Sequence, residues 1–285
     1  MHMVWILPLI ALVVVLGALA LDLRLIRRMY TVQSGKLSAP VRFVLLSDLH
    51  AEMHGQEQAR LMEHINAAAP DFVLLAGDIT DERRKMDSVK SLFSALSNHR
   101  VYYGFGNHEY NQDLDPTRQL AQEFGVNLLE NQRSTITVHG QTIHITGITD
   151  PRWRDRGNPD YCHEQTARQL GKQAQNHDGL HTLIAHRPEL FPLYLDFDII
   201  VSGHAHGGQF RIPGLVNGLL APGQGLFPRY AGGVYHHNQD GKSAVHVVSR
   251  GLARLLTSSR PLPRLFNRPE VVVVDILPVS PVSNE

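Results

Sequence analysis

Residues 42–50, RFVLLSDLH, show the pattern that decides the fold: an apolar run with strand character stops at Asp48 and His50. The pattern recurs four times, in FVLLAGD (72–78), VYYGFGNHE (101–109), HTLIAH (181–186) and IIVSGHAH (199–206). Apolar runs of this length are typical of strands that are buried on both faces of a sheet. We therefore predict five buried strands, each followed by side chains that can bind a metal.

Helical patterns separate these runs, at about residues 56–68, 87–97, 116–124 and 163–176. Strands that alternate with helices indicate βαβ units, and ligands of such sheets bind beyond the carboxyl ends of the strands. The remaining strands look different: turn signals predict one hairpin over 135–145, a second over 233–248, and a last strand at 271–277. The sequence thus predicts an α+β or α/β protein, a mixed two-sheet sandwich with helices outside.

The strand ends supply carboxylate, amide and imidazole ligands but no thiolate. This mixture fits Mn, Fe or Zn better than Ca or Cu(I). A carboxylate such as Asp78 can bridge two ions, and Gly77 before it lets the backbone approach closely. With that residue shared, two sites of four ligands each result, and their ions can sit about 3.5–4 Å apart. The candidate ligands are Asp48, His50, Asp78, Asn107, His186, His204 and His206.

His108 follows the candidate ligand Asn107 but is not needed as a ligand itself. Two divalent ions can generate a hydroxide from water and hold phosphoryl oxygens during in-line displacement. The leaving alkoxide still needs a proton, so His108 is predicted to be the general acid, and Asn107 to help hold the phosphoryl group. The predicted chemistry is therefore the hydrolysis of phosphate esters.

Five motifs, in this order, resemble the calcineurin-like metallophosphoesterase superfamily over roughly residues 41–277: Asp48-x-His50, Gly77-Asp78-x-x-Asp81, Gly106-Asn107-His108-Glu109, His186 and Gly203-His204-x-His206. The resemblance implies a four-layer αββα sandwich with a dinuclear centre. It implies one metal bound by Asp48, His50, Asp78 and His206, and another bound by Asp78, Asn107, His186 and His204. It also implies that His108 is the acid and that Asp81 is the carboxylate that orients it.

Further segments resemble the bacterial membrane-associated branch of this superfamily: GHAHGGQ (203–209), SRGL (249–252) and RLFNRPE (264–270). Some members of that branch hydrolyse UDP-2,3-diacylglucosamine, and others act on other phosphodiesters. The protein-phosphatase branch has Arg directly after the residue that matches Asp81, whereas this chain has Glu82. That departure argues against a protein phosphatase.

Residues 4–21 form an uncharged apolar segment, which predicts one membrane-spanning helix. Arg24, Arg27 and Arg28 follow it and no Lys or Arg precedes it, so the positive-inside rule predicts a single-pass protein of the inner membrane with a cytoplasmic catalytic domain. A cleaved signal peptide is the alternative, but it needs its positive charge before the apolar segment. The predicted divisions are an anchor with its basic flank at 1–28, a linker at 29–40, the metallophosphoesterase domain at 41–277 and a tail at 278–285.

The 27 basic residues equal the 27 acidic ones, so no overall positive field indicates binding to nucleic acid. The single cysteine cannot form an internal disulfide. The anchor favours contact with membrane lipids and an amphiphilic substrate, a lipid or a nucleotide-linked lipid; no protein partner is indicated. Two alternatives stay open. One is a non-catalytic metal-binding scaffold that docks a partner at the membrane, and the other is the same chemistry exported to the periplasm to act on nucleotide esters.

Overall fold

Two six-stranded sheets form the centre of the protein. The computed structural model describes residues 6–239, 241–254 and 263–279. In chain order the strands are β1 (Ile26–Ser34), β2 (Val41–Leu46), β3 (Phe72–Ala76), β4 (Val101–Gly104), β5 (Asn127–Leu128), β6 (Gln132–Val138), β7 (Gln141–Gly147), β8 (Leu180–Ile184), β9 (Ile199–Ser202), β10 (Leu220–Ala221), β11 (Gly225–Leu226), β12 (Gly233–Gln239), β13 (Lys242–Val248) and β14 (Glu270–Pro278). The first sheet has the order β1-β14-β2-β3-β4-β5 and the second β12-β13-β9-β8-β7-β6, while β10 and β11 pair as a separate ribbon.

Helices cover the outer faces of both sheets. After the apolar helix α1 (Ile6–Ala20), whose described side chains are largely exposed, these are α2 (Ala59–Asn66), α3 (Asp87–Ala95), α4 (Asp115–Glu123), α5 (Arg152–Arg156) and α6 (His163–Gln175). Leu61 of α2 and Phe93 of α3 pack with Val44 of β2 in one buried cluster, and Leu170 of α6 packs with Leu183 of β8 in another. The order of layers is therefore helix, sheet, sheet, helix, which confirms the predicted four-layer sandwich of mixed sheets.

A third apolar cluster lies between the two sheets. It joins Phe43 and Leu74 of the first sheet to Ile145 and Val201 of the second, and all four side chains are fully buried. Successive residues of a strand point to opposite faces, so β2 places Phe43 against the second sheet and Val44 against the helices. Burial on both faces explains why the run is apolar throughout.

The carboxyl ends of five strands meet at one edge of the sandwich. In the first sheet β2, β3 and β4 are parallel neighbours, and in the second sheet β8 and β9 are parallel neighbours. The two hairpins predicted from turn signals are confirmed as β6–β7 and β12–β13, and the predicted last strand is β14.

The N-terminal segment differs from its prediction. The apolar helix α1 has 15 residues, a length of about 22 Å, whereas a hydrocarbon core is about 30 Å thick. Among the described helices none has the length and apolar character to cross a membrane, so the predicted membrane-spanning helix is not found there. Residues 4 and 5 of the predicted span lie outside the described residues.

The segment that follows is a strand for much of the stretch predicted as a linker. β1 pairs in parallel with β14 along its whole length, from Ile26 beside Glu270 to Ser34 beside Pro278. Val32 is buried and Tyr30 packs against the cluster between the sheets, while Arg27 and Met29 are exposed on the other face. Arg28 on the inner face and Met29 on the exposed face interrupt the apolar–polar alternation that would predict this edge strand. The sandwich therefore begins before residue 41 and extends to Pro278 of the predicted tail.

Candidate metal centre

The predicted metal ligands converge where the five strands end. Asp48, His50 and His206 form one buried group, whose ligand atoms lie within 4.8 Å of one another. A second buried group within the same distance consists of Asp78, His186 and His204. The loops after β2 and β3 of the first sheet and after β8 and β9 of the second contribute these side chains. Six of the seven predicted ligands are thus brought together in two groups.

Asp78 is placed between the two groups. Its Oδ2 atom lies 3.1 Å from Nε2 of His186 and 3.9 Å from Nε2 of His50. His50 belongs to the first group, and its Nε2 lies 3.4 Å from Nε2 of His206. One carboxylate therefore reaches both groups, as a bridging ligand must.

Partners on the far ring nitrogen orient two of the imidazoles. Nδ1 of His186 donates to the carbonyl of Ala76 at 2.8 Å, which leaves Nε2 as the nitrogen that can face a metal. Nδ1 of His50 lies 3.2 Å from Oδ2 of Asp81. Such contacts fix the tautomer and ring orientation of metal-binding histidines.

Asn107 is the seventh predicted ligand. Its neighbour His108 donates a backbone hydrogen bond to Oδ1 of Asp78 at 2.9 Å, which places Asn107 beside the centre. The Oδ1 atom of Asn107 is buried and has no hydrogen-bond partner among the described residues. Leaving a buried acceptor unpaired costs free energy unless something else binds it. This oxygen, together with the two oxygen- and nitrogen-donor groups, fits a divalent metal centre.

The predicted acid has a different carboxylate partner from the one that was expected. Nδ1 of His108 lies 2.7 Å from Oε2 of Glu82 but 3.7 Å from Oδ2 of Asp81. Asp81 is fully buried and contacts His50, whereas the side chain of Glu82 keeps 22% of its surface exposed. The residue that hydrogen-bonds to His108 is thus Glu82, and Asp81 contacts the predicted ligand His50.

Burial and neighbouring charges set the protonation of the centre. Burial would raise the pKa of Asp78, but His186 beside it holds that pKa well below its ordinary value. Burial would lower the pKa of His186, but Asp78 raises it to about 10. Burial lowers the pKa of His204 and of His206 well below their ordinary value. These shifts favour an ionised Asp78 and neutral His204 and His206, the states that metal binding requires, whereas His186 keeps a proton that a bound metal would displace.

Five of the predicted ligands have left-handed backbone conformations. The φ angles are positive for all of them: Asp48 at 51°, His50 at 48°, Asp78 at 53°, His204 at 64° and His206 at 48°. For residues with a Cβ atom this conformation costs about 1–2 kcal/mol each. Hydrogen bonds between the loops hold it, since the amide of Asp48 donates to Gly77 and that of His50 donates to Asp78. Strain of this kind is concentrated at functional sites.

Two glycines allow the loops to approach one another. A Cβ atom on Gly77 would lie 2.4 Å from Nδ1 of His186, and one on Gly106 would lie 2.4 Å from Oδ1 of Asp78. Either contact is shorter than real atoms permit. The prediction that Gly77 serves close backbone approach is confirmed.

Sequence reasoning missed two residues that hold the site together. The buried carboxylate of Glu109 accepts hydrogen bonds from the backbone amides of Asp78 and Gly106, which ties two ligand loops to each other. Nδ2 of Asn267 donates to the carbonyl of His206 at 2.7 Å. Both lie in segments that carried the family resemblance, but an acid or amide in a loop does not reveal which backbone groups it will bind.

Comparison with known proteins agrees with this geometry. The family model of the calcineurin-like phosphoesterases matches residues 41–208, more than half of the chain. The chain belongs to this family. Its predicted relationship to calcineurin-like metallophosphoesterases is thereby confirmed.

Individual relatives of this calcineurin-like phosphoesterase are distant. It is 25% identical over 252 residues to the phosphodiesterase YaeI of Escherichia coli, covering 84% of this chain and 83% of that protein. It is 29% identical over 189 residues to a metallophosphoesterase of Campylobacter jejuni, covering 62% of this chain and 47% of the relative. Several curated relatives are longer, and the chain spans about half of their length.

A solved structure shares the fold. The 5′-nucleotidase precursor of Thermus thermophilus aligns with a TM-score of 0.57 at 16% identity, covering 84% of this chain and 54% of that one. At this identity the likeness concerns the architecture of the sandwich alone.

Proposed function

We propose that this calcineurin-like phosphoesterase hydrolyses phosphodiesters with the help of two divalent metal ions. The observation that carries the proposal is the position of Asp78, whose carboxylate reaches His50 of one ligand group and His186 of the other. One ion would be held by Asp48, His50, Asp78 and His206, and the second by Asp78, Asn107, His186 and His204. The arrangement suits Mn, Fe or Zn.

The metal ions and the protein side chains have different roles in the proposed reaction. Bound divalent ions supply charge neutralisation for phosphoryl oxygens and activation of a water as nucleophile. Asn107 holds the phosphoryl group through its side-chain amide, and His108 donates the proton that the leaving alkoxide needs. Glu82 occupies Nδ1 of His108, so Nε2 is the nitrogen that gives up this proton.

Glu82 also supports a preference for diesters. Its carboxylate stands beside His108 and is partly open to solvent. A phosphomonoester brings a second negative charge to the site, and a fixed carboxylate at this position repels it more than a singly charged diester. The relative YaeI is named a phosphodiesterase, which agrees with this preference.

The proposal is tested by the hydrolysis of bis(p-nitrophenyl) phosphate with added Mn²⁺. The wild-type protein should cleave this diester faster than p-nitrophenyl phosphate, and Asp78→Ala should lose bound metal and activity together. His108→Ala should keep both ions but cleave esters with poor leaving groups about 10²–10⁴-fold more slowly. A wild-type protein that binds metal but stays inert with Mn, Fe and Zn would refute the proposal and favour the scaffold alternative.

We further propose that the diester carries an apolar group. The segment that contains β10 and β11 packs beside the His206 loop, since the amide of Leu219 donates to the carbonyl of Gly208. In this segment Leu226 is 67% and Phe227 68% exposed. Exposed apolar side chains next to a catalytic centre favour an amphiphilic substrate. The predicted position at the inner face of a bacterial membrane stays a prediction, and a reporter fused to the C-terminus tests it.

Substrate length tests the apolar part of this proposal. Diesters of one headgroup with short and long acyl chains should differ in KM, and Phe227→Ser should raise the KM only for the long-chain compound. Equal KM values for both chain lengths would reject the apolar group while leaving diester hydrolysis in place.

A further inference from the structure

An open pocket with a volume of about 490 Å³ lies apart from the metal ligands. Its walls come mainly from three segments that are distant in sequence, β1, residues 211–217 and the residues that follow β13, and Phe266 completes the lining. Each segment contributes one arginine, namely Arg28, Arg211 and Arg250. The mechanism proposed above uses none of them.

Positive charge exceeds negative charge in this pocket. The fully buried carboxylate of Glu270 lies 3.6 Å from Nε of Arg28 and 3.4 Å from Nε of Arg250. Among the described residues Glu270 is the acid that forms ion pairs with these arginines, so three guanidinium groups face one carboxylate. Burial lowers the pKa of Arg211 to about 10, and the positive charge of Arg250 adds to this shift.

Hydrogen-bond donors remain unused there. Within the part of the chain that the structure describes, the side chains of Arg28 and Arg250 donate no hydrogen bond, and the Nε atom of each faces the Glu270 carboxylate only at ion-pair distance. Arg211 is held in place, because its Nη1 donates to the carbonyl of Gly207 at 3.1 Å and its Nη2 to Asn217. The other N–H groups of the Arg28 and Arg250 guanidinium groups are therefore free to donate to an anion in the pocket, and hydrogen bonds between charged groups are strong.

We propose that Arg28, Arg211 and Arg250 form a second anion site that binds a phosphate group. The planar guanidinium group gives paired N–H donors that match the spacing of phosphate oxygens. Three positive charges against one carboxylate leave an excess of two, which a phosphate dianion neutralises. The phosphate belongs to a soluble compound or to a lipid headgroup.

Apolar groups border the pocket, and they bear on whether the phosphate belongs to a lipid or to a soluble compound. Phe266 lines the pocket, and its amide donates to the carbonyl of Ala20 at the end of the apolar helix α1. Leu215, also in the lining, is 85% exposed. A lipid headgroup would therefore find apolar surface next to the arginines, whereas a soluble phosphate compound would not need it.

The first experiment titrates the metal-loaded full-length chain with inorganic phosphate by calorimetry. Two classes of site are expected, one at the metal centre and one at the arginines. Arg28→Gln should weaken the second class about tenfold, the effect of losing a hydrogen bond to a charged group. It should leave the hydrolysis of bis(p-nitrophenyl) phosphate unchanged. Arg28 is partly exposed, with 39% of its side-chain surface open, so the variant is expected to fold.

Arg27→Gln is the matched control. Arg27 precedes Arg28 on β1, but its side chain is exposed on the opposite face of the strand. This variant removes the same charge and should leave both classes of phosphate site intact. Arg250→Lys provides a second test, since it keeps the charge but loses the guanidinium fork, and should also weaken the second class. A single class of phosphate site in the wild type, or equal weakening by the two Gln variants, would overturn the proposal.

The second experiment identifies the source of the phosphate. Sedimentation with phosphatidylglycerol vesicles is compared with sedimentation with phosphatidylcholine vesicles. If Arg28→Gln reduces binding to phosphatidylglycerol more than Arg27→Gln does, the arginines bind a lipid headgroup. If the variants bind these vesicles equally while the calorimetric difference persists, the ligand is a soluble phosphate compound.

Discussion

Nδ1 of His108 lies 2.7 Å from the Glu82 carboxylate and 3.7 Å from that of Asp81. Burial would lower the pKa of His108, but the negative charges of Asp78 and Glu82 raise it above its ordinary value. Glu82 therefore helps to keep the proposed acid protonated and fixes its ring. Asp81 takes the other task, the orientation of His50. The adjacent carboxylates of Asp81 and Glu82 thus hydrogen-bond to two different histidines, His50 and His108.

Replacing Glu82 should affect proton donation. In Glu82→Gln the amide keeps a hydrogen bond to His108 but loses the negative charge, so kcat for diesters with poor leaving groups should fall about tenfold. Esters with nitrophenolate leaving groups, which need little protonation, should be cleaved at nearly the wild-type rate. The measurement is kcat across a series of leaving groups, with Glu123→Gln on the exposed face of α4 as control. Equal slowing across the whole series would assign Glu82 a merely structural role.

Replacing Asp81 should affect the metal instead. Asp81→Asn weakens the contact that orients His50, and loss of such a partner typically lowers metal affinity about 10–100-fold. Titration with Mn²⁺ should show this loss, and excess Mn²⁺ should restore most of the activity. If Asp81→Asn binds Mn²⁺ normally and is slow only toward poor leaving groups, Asp81 acts on His108 after all.

A methyl group at Gly106 should disrupt the centre. In Gly106→Ala the added Cβ meets Oδ1 of Asp78 at 2.4 Å, so the bridging carboxylate must move and metal content should fall. Gly35→Ala is the matched control, because nothing lies within 4 Å of the Cβ that it adds. Elemental analysis of both purified variants is the measurement. Full metal content in Gly106→Ala would show that the loops can separate without loss of the site.

The buried histidine His246 should make stability depend on pH. Burial and the neighbouring His237 lower the pKa of His246 from 6.5 to about 3, so the folded state keeps it neutral while the unfolded state takes up a proton below pH 6.5. The contribution of neutral His246 to the free energy of unfolding is therefore present above pH 6.5 and is lost progressively as the pH falls toward 3. Through this residue, lowering the pH from 7 to 5 should reduce the free energy of unfolding by about 2 kcal/mol.

Denaturant titrations at these two pH values test the effect. His246→Gln should reduce the difference in the free energy of unfolding between pH 7 and pH 5 by that amount. His236→Gln, an exposed residue of the adjacent strand β12, should leave the difference unchanged. A pH dependence that is identical in wild type and His246→Gln would contradict the assignment.

The strands and the identities of the predicted ligands could be read from the sequence. A segment such as Phe43–Leu46 is apolar at every position because both of its faces are buried, and no surface element needs that composition. Parallel strands leave their carboxyl ends at one edge, so Asp48 and Asp78, which follow neighbouring strands of the first sheet, had to lie near one another. The edge strand β1 was not predicted, because Arg28 on its inner face and Met29 on its exposed face break the two-residue period.

Tertiary structure alone decided how the ligands are held. The left-handed backbone at Asp48 and His206 is unfavourable for an isolated residue, and only hydrogen bonds from other loops stabilise it. The choice between Asp81 and Glu82 as partner of His108 likewise depends on the directions in which two consecutive side chains leave the same loop. Local sequence encodes which groups are available for bonding, whereas distances between groups on separate loops arise only when both sheets pack together.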